Sequence, residues 1–333
     1  MRLAEHEAVV VWAKRTPIGK VGGALSDVAV EDLAATVLRN LLEETALNPA
    51  HVDNVVLGNV VGPGGNVARL SLLQAGLPIH VPGYTVDMQC GSGLQAIHLA
   101  AQEIRSGHGH VYLAGGVESS SRAPWKLEKP MNLYRDSPRV YQRARFSPEH
   151  IGDPDMGMAA ENVARKYGIT REAQDRLALA SHEKAVAAQQ SGLLAAEIAP
   201  VQRTDGTTVT ADEGPRPDTS LEKLGSLPPV FVQDGTVTAG NACGISDGAC
   251  VCLMVSAAKA REMGFTTGLR YVDSVVVGVD PNYLGIGPVP AVQKLLERNG
   301  LAMTLIWWNS TKRLLHRCWP VWTSFASRWT NST

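Results

Sequence analysis

The chain has 333 residues and is nearly electroneutral, with 31 Lys and Arg against 32 Asp and Glu, and with 44% hydrophobic and 19% charged residues. That balance excludes a disordered chain, and the lack of a basic excess argues against an electrostatic nucleic-acid binder. No uncharged apolar run approaches the roughly 18 residues that span a bilayer, and five cysteines without framework spacing do not suggest a secreted disulfide scaffold.

The first residues, Met1-Arg2-Leu3-Ala4-Glu5-His6-Glu7, contain no apolar signal core, so a cytoplasmic α/β protein of two domains, or one large one, is expected. In chain order, the β-branched run 8–12 predicts a buried strand. A Gly- and Pro-bearing loop over 16–23 follows. Residues 30–42 place Leu33, Val37, Leu38, Leu41 and Leu42 on a helical period, with Asp32 in the first turn. A strand over 53–60 ends at Gly62-Pro63-Gly64-Gly65, and a helix over 68–75 stops near Gly76 and Pro78. A strand over 84–88 enters Gln89-Cys90-Gly91-Ser92-Gly93, a helix covers 94–105, and 111–116 reads as another buried strand. This alternation predicts a largely parallel, helix-covered sheet. Between 119 and 154 the pattern weakens, which marks a lid or an inserted subdomain. Helical periodicity returns over 157–167 and 171–190, 204–227 reads as loop, and 240–255 and 271–279 read as a return to the sheet.

The composition changes abruptly at the end. Five of the seven Trp lie in residues 305–333, a segment with four cations and no Asp or Glu, whereas residues 1–304 hold 27 cations against 32 anions.

Cys90 is the strongest chemical candidate. It stands where a predicted strand hands over to a helix, flanked by glycines that allow a tight turn, and the positive end of a helix dipole favours the thiolate and hence the nucleophile. An inert, space-filling cysteine is the competing reading. So is a relaxed dinucleotide fingerprint, Gly91-x-Gly93-x-x-Ala96 with Glu118 near the end of the next strand. Cys243, Cys250 and Cys252 lack zinc spacing, and Cys250 and Cys252 are expected to pack together on one apolar face. His98 lies eight residues beyond Cys90, about 12 Å along a helix, too far to serve as its base. His108 and His110 flank Gly109 in an expected exposed turn, and no metal site is expected.

An ordered series of segments also resembles the thiolases, the acetyl-CoA acetyltransferase and 3-ketoacyl-CoA thiolase group. The series runs through Arg15-Thr16-Pro17-Ile18-Gly19, Val55-Val56-Leu57-Gly58-Asn59-Val60, Asn66-Val67-Ala68-Arg69, Cys90-Gly91-Ser92-Gly93-Leu94-Gln95-Ala96 and Ala114-Gly115-Gly116-Val117-Glu118-Ser119. It continues with Met156-Gly157-Met158-Ala159-Ala160-Glu161-Asn162-Val163-Ala164, Gly235-Thr236-Val237-Thr238-Ala239-Gly240-Asn241 and Gly285-Ile286-Gly287-Pro288-Val289-Pro290.

The resemblance implies a layered α-β-α-β-α fold with an inserted loop domain and an incomplete second half. Residues 1–118 and 241–265 would form the N-terminal half, 119–240 the inserted CoA-binding domain, 266–304 the start of the C-terminal half and 305–333 an aberrant tail. Cys90 would be the catalytic nucleophile of a ping-pong acyl transfer between acyl-CoA molecules, or of the reverse thiolysis. By the same resemblance Met156, Arg216, Phe231 and Cys243 would contact CoA, with Cys243 standing where a Ser is common. No permanently bound cofactor is implied, CoA thioesters are the substrates, and a homodimer or homotetramer without nucleic-acid or membrane partners is expected. The alternatives are a ketosynthase-like condensing enzyme and a catalytically inactive relative, with a nicotinamide-dependent dehydrogenase more distant.

Thiolases also use an Asn-Glu-Ala-Phe segment, a Gly-His-Pro histidine and a second catalytic cysteine, and none of these motifs occurs in this sequence. The resemblance stops after Leu301-Ala302-Met303-Thr304, which suggests a shifted reading frame. Joining the last base of each codon to the first two of the next turns the TGG codons of Trp307 and Trp308 into Val and then, with Asn309, Glu. The degenerate codons through Arg317 then permit Leu-Asn-Glu-Ala-Phe-Ala-Ala-Gln. The expectation is that the gene spells this motif in the shifted frame, and sequencing decides it: codons that cannot do so remove the frameshift reading. A natural, Trp-rich amphipathic tail is the alternative, and Pro320 with many Ser and Thr argues against it.

Overall fold

The structure is a computed structural model that describes residues 4–141 and 143–301, together with the backbone of 327–330. The first strands and helices alternate: β1 (Ala8–Arg15), β2 (Gly19–Lys20), α1 (Val30–Thr45), β3 (Asn54–Gly58), α2 (Val67–Gln74), β4 (Gly83–Val86), α3 (Ser92–Arg105) and β5 (Val111–Ser119). Residues 120–245 leave the sheet and carry β6 (Lys126–Glu128), β7 (Arg139–Tyr141), α4 (Met156–Tyr167), α5 (Arg171–Gln190), β8 (Val201–Gln202), β9 (Thr208–Val209) and α6 (Leu221–Gly225). The chain then returns through β10 (Ser246–Ser256), α7 (Ala257–Glu262), β11 (Thr267–Arg270), α8 (Pro288–Arg298) and β12 (Ser327–Thr330).

One mixed sheet organises the molecule, in the order β12-β11-β1-β10-β5-β3-β4, with β2 paired to β10. The predicted alternation is present, since β3 runs parallel to β4 and to β5. The expectation of a largely parallel sheet is corrected by β10, which runs antiparallel to both β5 and β1 and separates them. Because β10 is antiparallel to each, β1 and β5 share a direction, as successive βα units require. β10 re-enters from the end of the sheet at which β5 left it, so it can only run backwards.

Period-two alternation divides the sheet into two faces. Val9, Val55, Leu57, Leu113, Val251 and Leu253 face α1, where Leu33, Val37, Leu38 and Leu41 are fully buried. Ala8, Val10, Tyr112, Ala114, Cys252 and Met254 face α3 through Ala100, Ala101 and Ile104. The three helices over 30–45, 92–105 and 171–190 therefore coincide with the sequence periodicity to within three residues.

One loop expectation and one strand expectation are revised. The polar stretch 204–227 contains β9 and the short α6, capped by the Ser220 side chain at Lys223 N. Residues 271–279, read as a strand, are irregular in the structure. Val276 is 55% exposed, and a β-branched run becomes a strand only where a neighbouring ladder takes its N–H and C=O groups.

Of the tail, 327–330 pairs with β11, and the reading of 305–326 lies outside the described residues.

Gly115 lies where β5 meets β10, and an added Cβ would overlap the Cys250 carbonyl and come within 2.9 Å of the Val251 Cα. Both are backbone atoms of a central strand and have nowhere to move. Gly115→Ala is expected to cost at least about 1–3 kcal/mol of folding stability, read as a lower urea midpoint. An unchanged midpoint would show that the strands separate more easily than their packing implies.

Candidate active site

The end of the sheet that carries the candidate residues follows from strand direction. β1, β3, β4 and β5 all deliver their carboxyl ends there, and antiparallel β10 begins there. Arg15, Asn59, Cys90, Ser119 and the residues preceding Ser246, Cys243 among them, are thus gathered at one edge. In open α/β sheets this edge is where ligands bind, because the loops are free to diverge there and helix amino ends point at it.

Cys90 sits in the turn between β4 and α3 and is exposed. Gln89 adopts φ 51°, a left-handed conformation that non-glycine residues seldom take. The Ser92 hydroxyl closes the turn, accepting from Met88 N–H at 2.7 Å and donating to the Gln89 carbonyl at 2.5 Å. Backbone bonds from Gly91 N to Met88 O (3.1 Å) and from Ser92 N to Gln89 O (3.0 Å) complete it.

Glycines let the first turn of α3 lie directly on the sheet. A Cβ at Gly58 would collide with Gly93 N and come within 2.7 Å of the Ser92 Cβ, and a Cβ at Gly116 would stand 3.2 Å from the Gly93 Cα. The competing reading, a buried space-filling cysteine, is not what is found at position 90, which is exposed. It is found at Cys250 and Cys252, which are buried. The Cys252 thiol donates to the Ala114 carbonyl at 3.1 Å, and burial pushes it up to about 12.

The dinucleotide reading loses its acidic partner. Glu118 is buried and accepts from Asn59 Nδ2 (3.2 Å), Val60 N (2.6 Å) and Val61 N (3.1 Å), so it shapes the loop after β3. This Asn59–Glu118 pair escaped the sequence reading. Its only signal was that Asn59 directly follows buried β3 and Glu118 is a lone acid near the end of buried β5.

The residues assigned to CoA contact lie in or beside the excursion. Met156 opens α4, and Phe231 lies against the next residue, since a Cβ at Gly157 would run into its ring. The hairpin that carries Phe231 is held by Glu161, which accepts from Thr236 N and Val237 N, both at 2.7 Å. Asn241 then bridges to Asp175 at 2.9 Å. Arg216 is exposed in a loop whose backbone N–H donates to His182 Nδ1 at 3.2 Å. Cys243 is half-buried, three residues before β10. Phe231 thus packs on the first turn of α4, which Met156 opens, whereas Arg216 lies beside α5.

Charged clamps, unforeseen in the sequence, fasten the loop leading to Arg216 onto the sheet. Arg15 is 3% exposed and holds Asp212 in a bidentate pair at 2.7 and 2.9 Å and Glu197 at 2.8 Å. Burial opposes the Arg15 charge, but the two carboxylates outweigh it and raise the guanidinium above its usual range. Glu213 accepts from Lys20 N and Ala24 N. Asp27 accepts from Thr204 and Arg203, which bring its carboxyl down to about 2.

His98 faces Tyr271 edge-on at 6.0 Å, and its Nδ1 has no hydrogen-bond partner among the described residues. It is core and not a base for Cys90. His108 and His110 are exposed as expected, with His110 Nδ1 at 3.0 Å from the Ser256 hydroxyl. Among the described residues no group of His, Cys, Asp and Glu could hold a metal, and no helix is long and apolar enough to cross a membrane.

Comparison with known proteins agrees with this arrangement. Residues 8–258 match the family model described as the thiolase N-terminal domain. Proteins of Staphylococcus aureus (strain MRSA252) and Staphylococcus epidermidis that carry the name acetyl-CoA C-acetyltransferase VraB, in both cases as a provisional assignment, are 45% and 44% identical. The matches cover 90% and 89% of this chain and 78% and 77% of the relatives. The crystal structure of the Bacillus anthracis acetyl-CoA acetyltransferase superposes with a TM-score of 0.80 at 40% identity, covering 90% of this chain and 78% of that one.

Burial holds the His98 imidazole down to about 4 from 6.5, against a weak opposing pull from Asp273. Its folded value is depressed, so the neutral ring is the form that the fold accommodates, and the stability associated with it is lost as pH falls from 6.5 towards 4. A decline of about 3 kcal/mol across that window is expected from this group, measured by urea titration at each pH. His98→Phe should flatten that segment of the profile, and an unaltered slope would assign the acid sensitivity elsewhere.

Proposed function

The chain belongs to the thiolase family and is an acyltransferase of that family, and from this premise we propose that its reaction begins at Cys90. The observation that carries the proposal is the exposed Cys90 sulfur on a hydrogen-bonded turn at the amino end of α3. The Cys90 sulfur attacks the carbonyl carbon of an acyl-CoA thioester. The bond from that carbon to the CoA sulfur breaks, CoA takes up the proton released by the Cys90 thiol, and the acyl group remains on Cys90 as a thioester. In the complete cycle a second acyl-CoA loses an α-proton and its carbanion attacks the acyl-enzyme. The product is a 3-ketoacyl-CoA and the Cys90 thiol is regenerated; thiolysis is the reverse.

Residues 119–240, in this reading, form the cradle for CoA. Phe231 and Met156 present an apolar wall at the start of α4, Arg216 offers a guanidinium to the nucleotide phosphates, and Cys243 faces the pantetheine side. The substrate is a CoA thioester, no permanently bound cofactor takes part, and the working assembly is a homodimer or homotetramer in the cytoplasm. The family's Asn-Glu-Ala-Phe, Gly-His-Pro and second-cysteine motifs do not occur in these 333 residues. In this reading Cys90 acylates slowly, without the family's activating histidine, and condensation should be weak or absent.

Incubation with acetyl-CoA, acid quench and peptide mass mapping tests both parts. Acetylation should fall on the peptide containing Cys90, with release of free CoA, and disappear in Cys90→Ser. Acetylation at another cysteine would remove Cys90 from its role. Robust 3-ketoacyl-CoA synthesis by the 333-residue protein would contradict the expected block after acylation.

A further inference from the structure

The turn that presents Cys90 contains a residue in an unfavourable conformation, and something must hold it there. Gln89 lies at φ 51°, where a Cβ crowds the backbone and where only glycine, and less often Asn or Asp, is at ease. Gln89 has neither advantage. The Asp87 carboxylate accepts from its N–H at 2.9 Å, and two groups of Ser92 hold the peptides on its two sides. The Gln89 carbonyl accepts from both the Ser92 N–H at 3.0 Å and the Ser92 hydroxyl at 2.5 Å. The same hydroxyl accepts from Met88 N–H at 2.7 Å, on the other side of Gln89. Ser92 itself is 3% exposed and sits against Gly58, where even a Cβ would come within 2.7 Å of its own. The serine is thus fixed from below by the sheet, and it fixes the peptides on either side of Gln89.

We infer that Ser92 is a positioning residue for the nucleophile: through its paired hydrogen bonds it keeps residues 88–91 in the shape that aims the Cys90 sulfur at a bound thioester carbonyl. This rests on Cys90 being the acylated residue. Ser92 contacts no reacting atom in this scheme. Its contribution is geometric, and it should appear in the rate from the bound complex and not in how tightly acyl-CoA binds.

The experiment compares Cys90 acylation by acetyl-CoA with alkylation by iodoacetamide in the wild-type chain, Ser92→Ala, Gln89→Val and the double variant Gln89→Gly with Ser92→Ala. Iodoacetamide is small and approaches an exposed sulfur from many directions, whereas the thioester must be met along one line. In Ser92→Ala the acylation rate at saturating acetyl-CoA should fall by about tenfold to a hundredfold, with the half-saturating concentration and the alkylation rate close to wild type. Gln89→Val, in a half-buried loop position where misfolding is not expected, should show the same split, because a β-branched side chain disfavours positive φ. Replacing Gln89 by glycine in the Ser92→Ala background should restore part of the rate, since the turn then needs less holding. Acylation unchanged in Ser92→Ala, a loss confined to the half-saturating concentration, or equal loss of acylation and alkylation would each overturn the inference. Failure of acetyl-CoA to acylate the wild-type Cys90, by contrast, would overturn the function proposed above and is seen in the first arm alone.

Discussion

The close approach of α3 to the sheet is the constraint from which the arrangement at Cys90 follows. Gly58 on β3, Gly116 on β5 and Gly93 in the first turn of the helix meet where no side chain would fit. A helix packed on a sheet through side chains stands off by about 10 Å; here backbone lies on backbone, and the turn before the helix has to double back sharply. That turn lifts Cys90 out to solvent while the residues on both sides of it are tied down. Three strands from β4, Cys252 on β10 is enclosed against α3 with its thiol on the Ala114 carbonyl, and burial there favours the protonated form.

Polar networks then attach the excursion to this frame. Arg15 with Asp212 and Glu197, Asp27 with Arg203 and Thr204, and Glu161 with Thr236 and Val237 join segments of residues 120–245 to β1, to the loop before α1 and to α4 respectively. Buried or half-buried ion pairs of this kind add little net stability, because desolvation offsets most of the Coulomb attraction. What they supply is register. A loop held by a bidentate carboxylate at a single guanidinium has one seat, whereas an apolar contact would tolerate sliding. This suits a segment whose proposed task is to hold a long, flexible ligand at a set distance from a sulfur.

Much of the fold was legible because it rests on local pattern. The leucines of α1 repeat at helical spacing, the β-branched runs of β3 and β5 carry no charge until their ends, and the Gly-bounded turn at Cys90 announces a change of element. The candidate nucleophile was visible for the same reason. Met156 and Phe231 were singled out through family resemblance, and the packing of Phe231 on α4 was not foreseen, since no periodicity points from one residue to the other. Ser92 and Arg15 went unassigned, and Glu118 was read only as the acid of a dinucleotide fingerprint, because a serine in a helix's first turn, a glutamate near a strand's end and an arginine beginning a loop are ordinary in sequence. They become informative when their partners, which for Arg15 lie almost two hundred residues away, are in place.

Sequence alone determined the secondary structure of the βα units, the strand-to-helix setting of Cys90 and the family kinship, because each depends on neighbours within a few residues or on an ordered string of motifs. Tertiary structure decided the antiparallel insertion of β10, the irregular path of 271–279 and the bracing of the Cys90 turn. These depend on which backbone groups find a partner across the sheet and on how closely two backbones may approach, and neither quantity is written in any single stretch of chain.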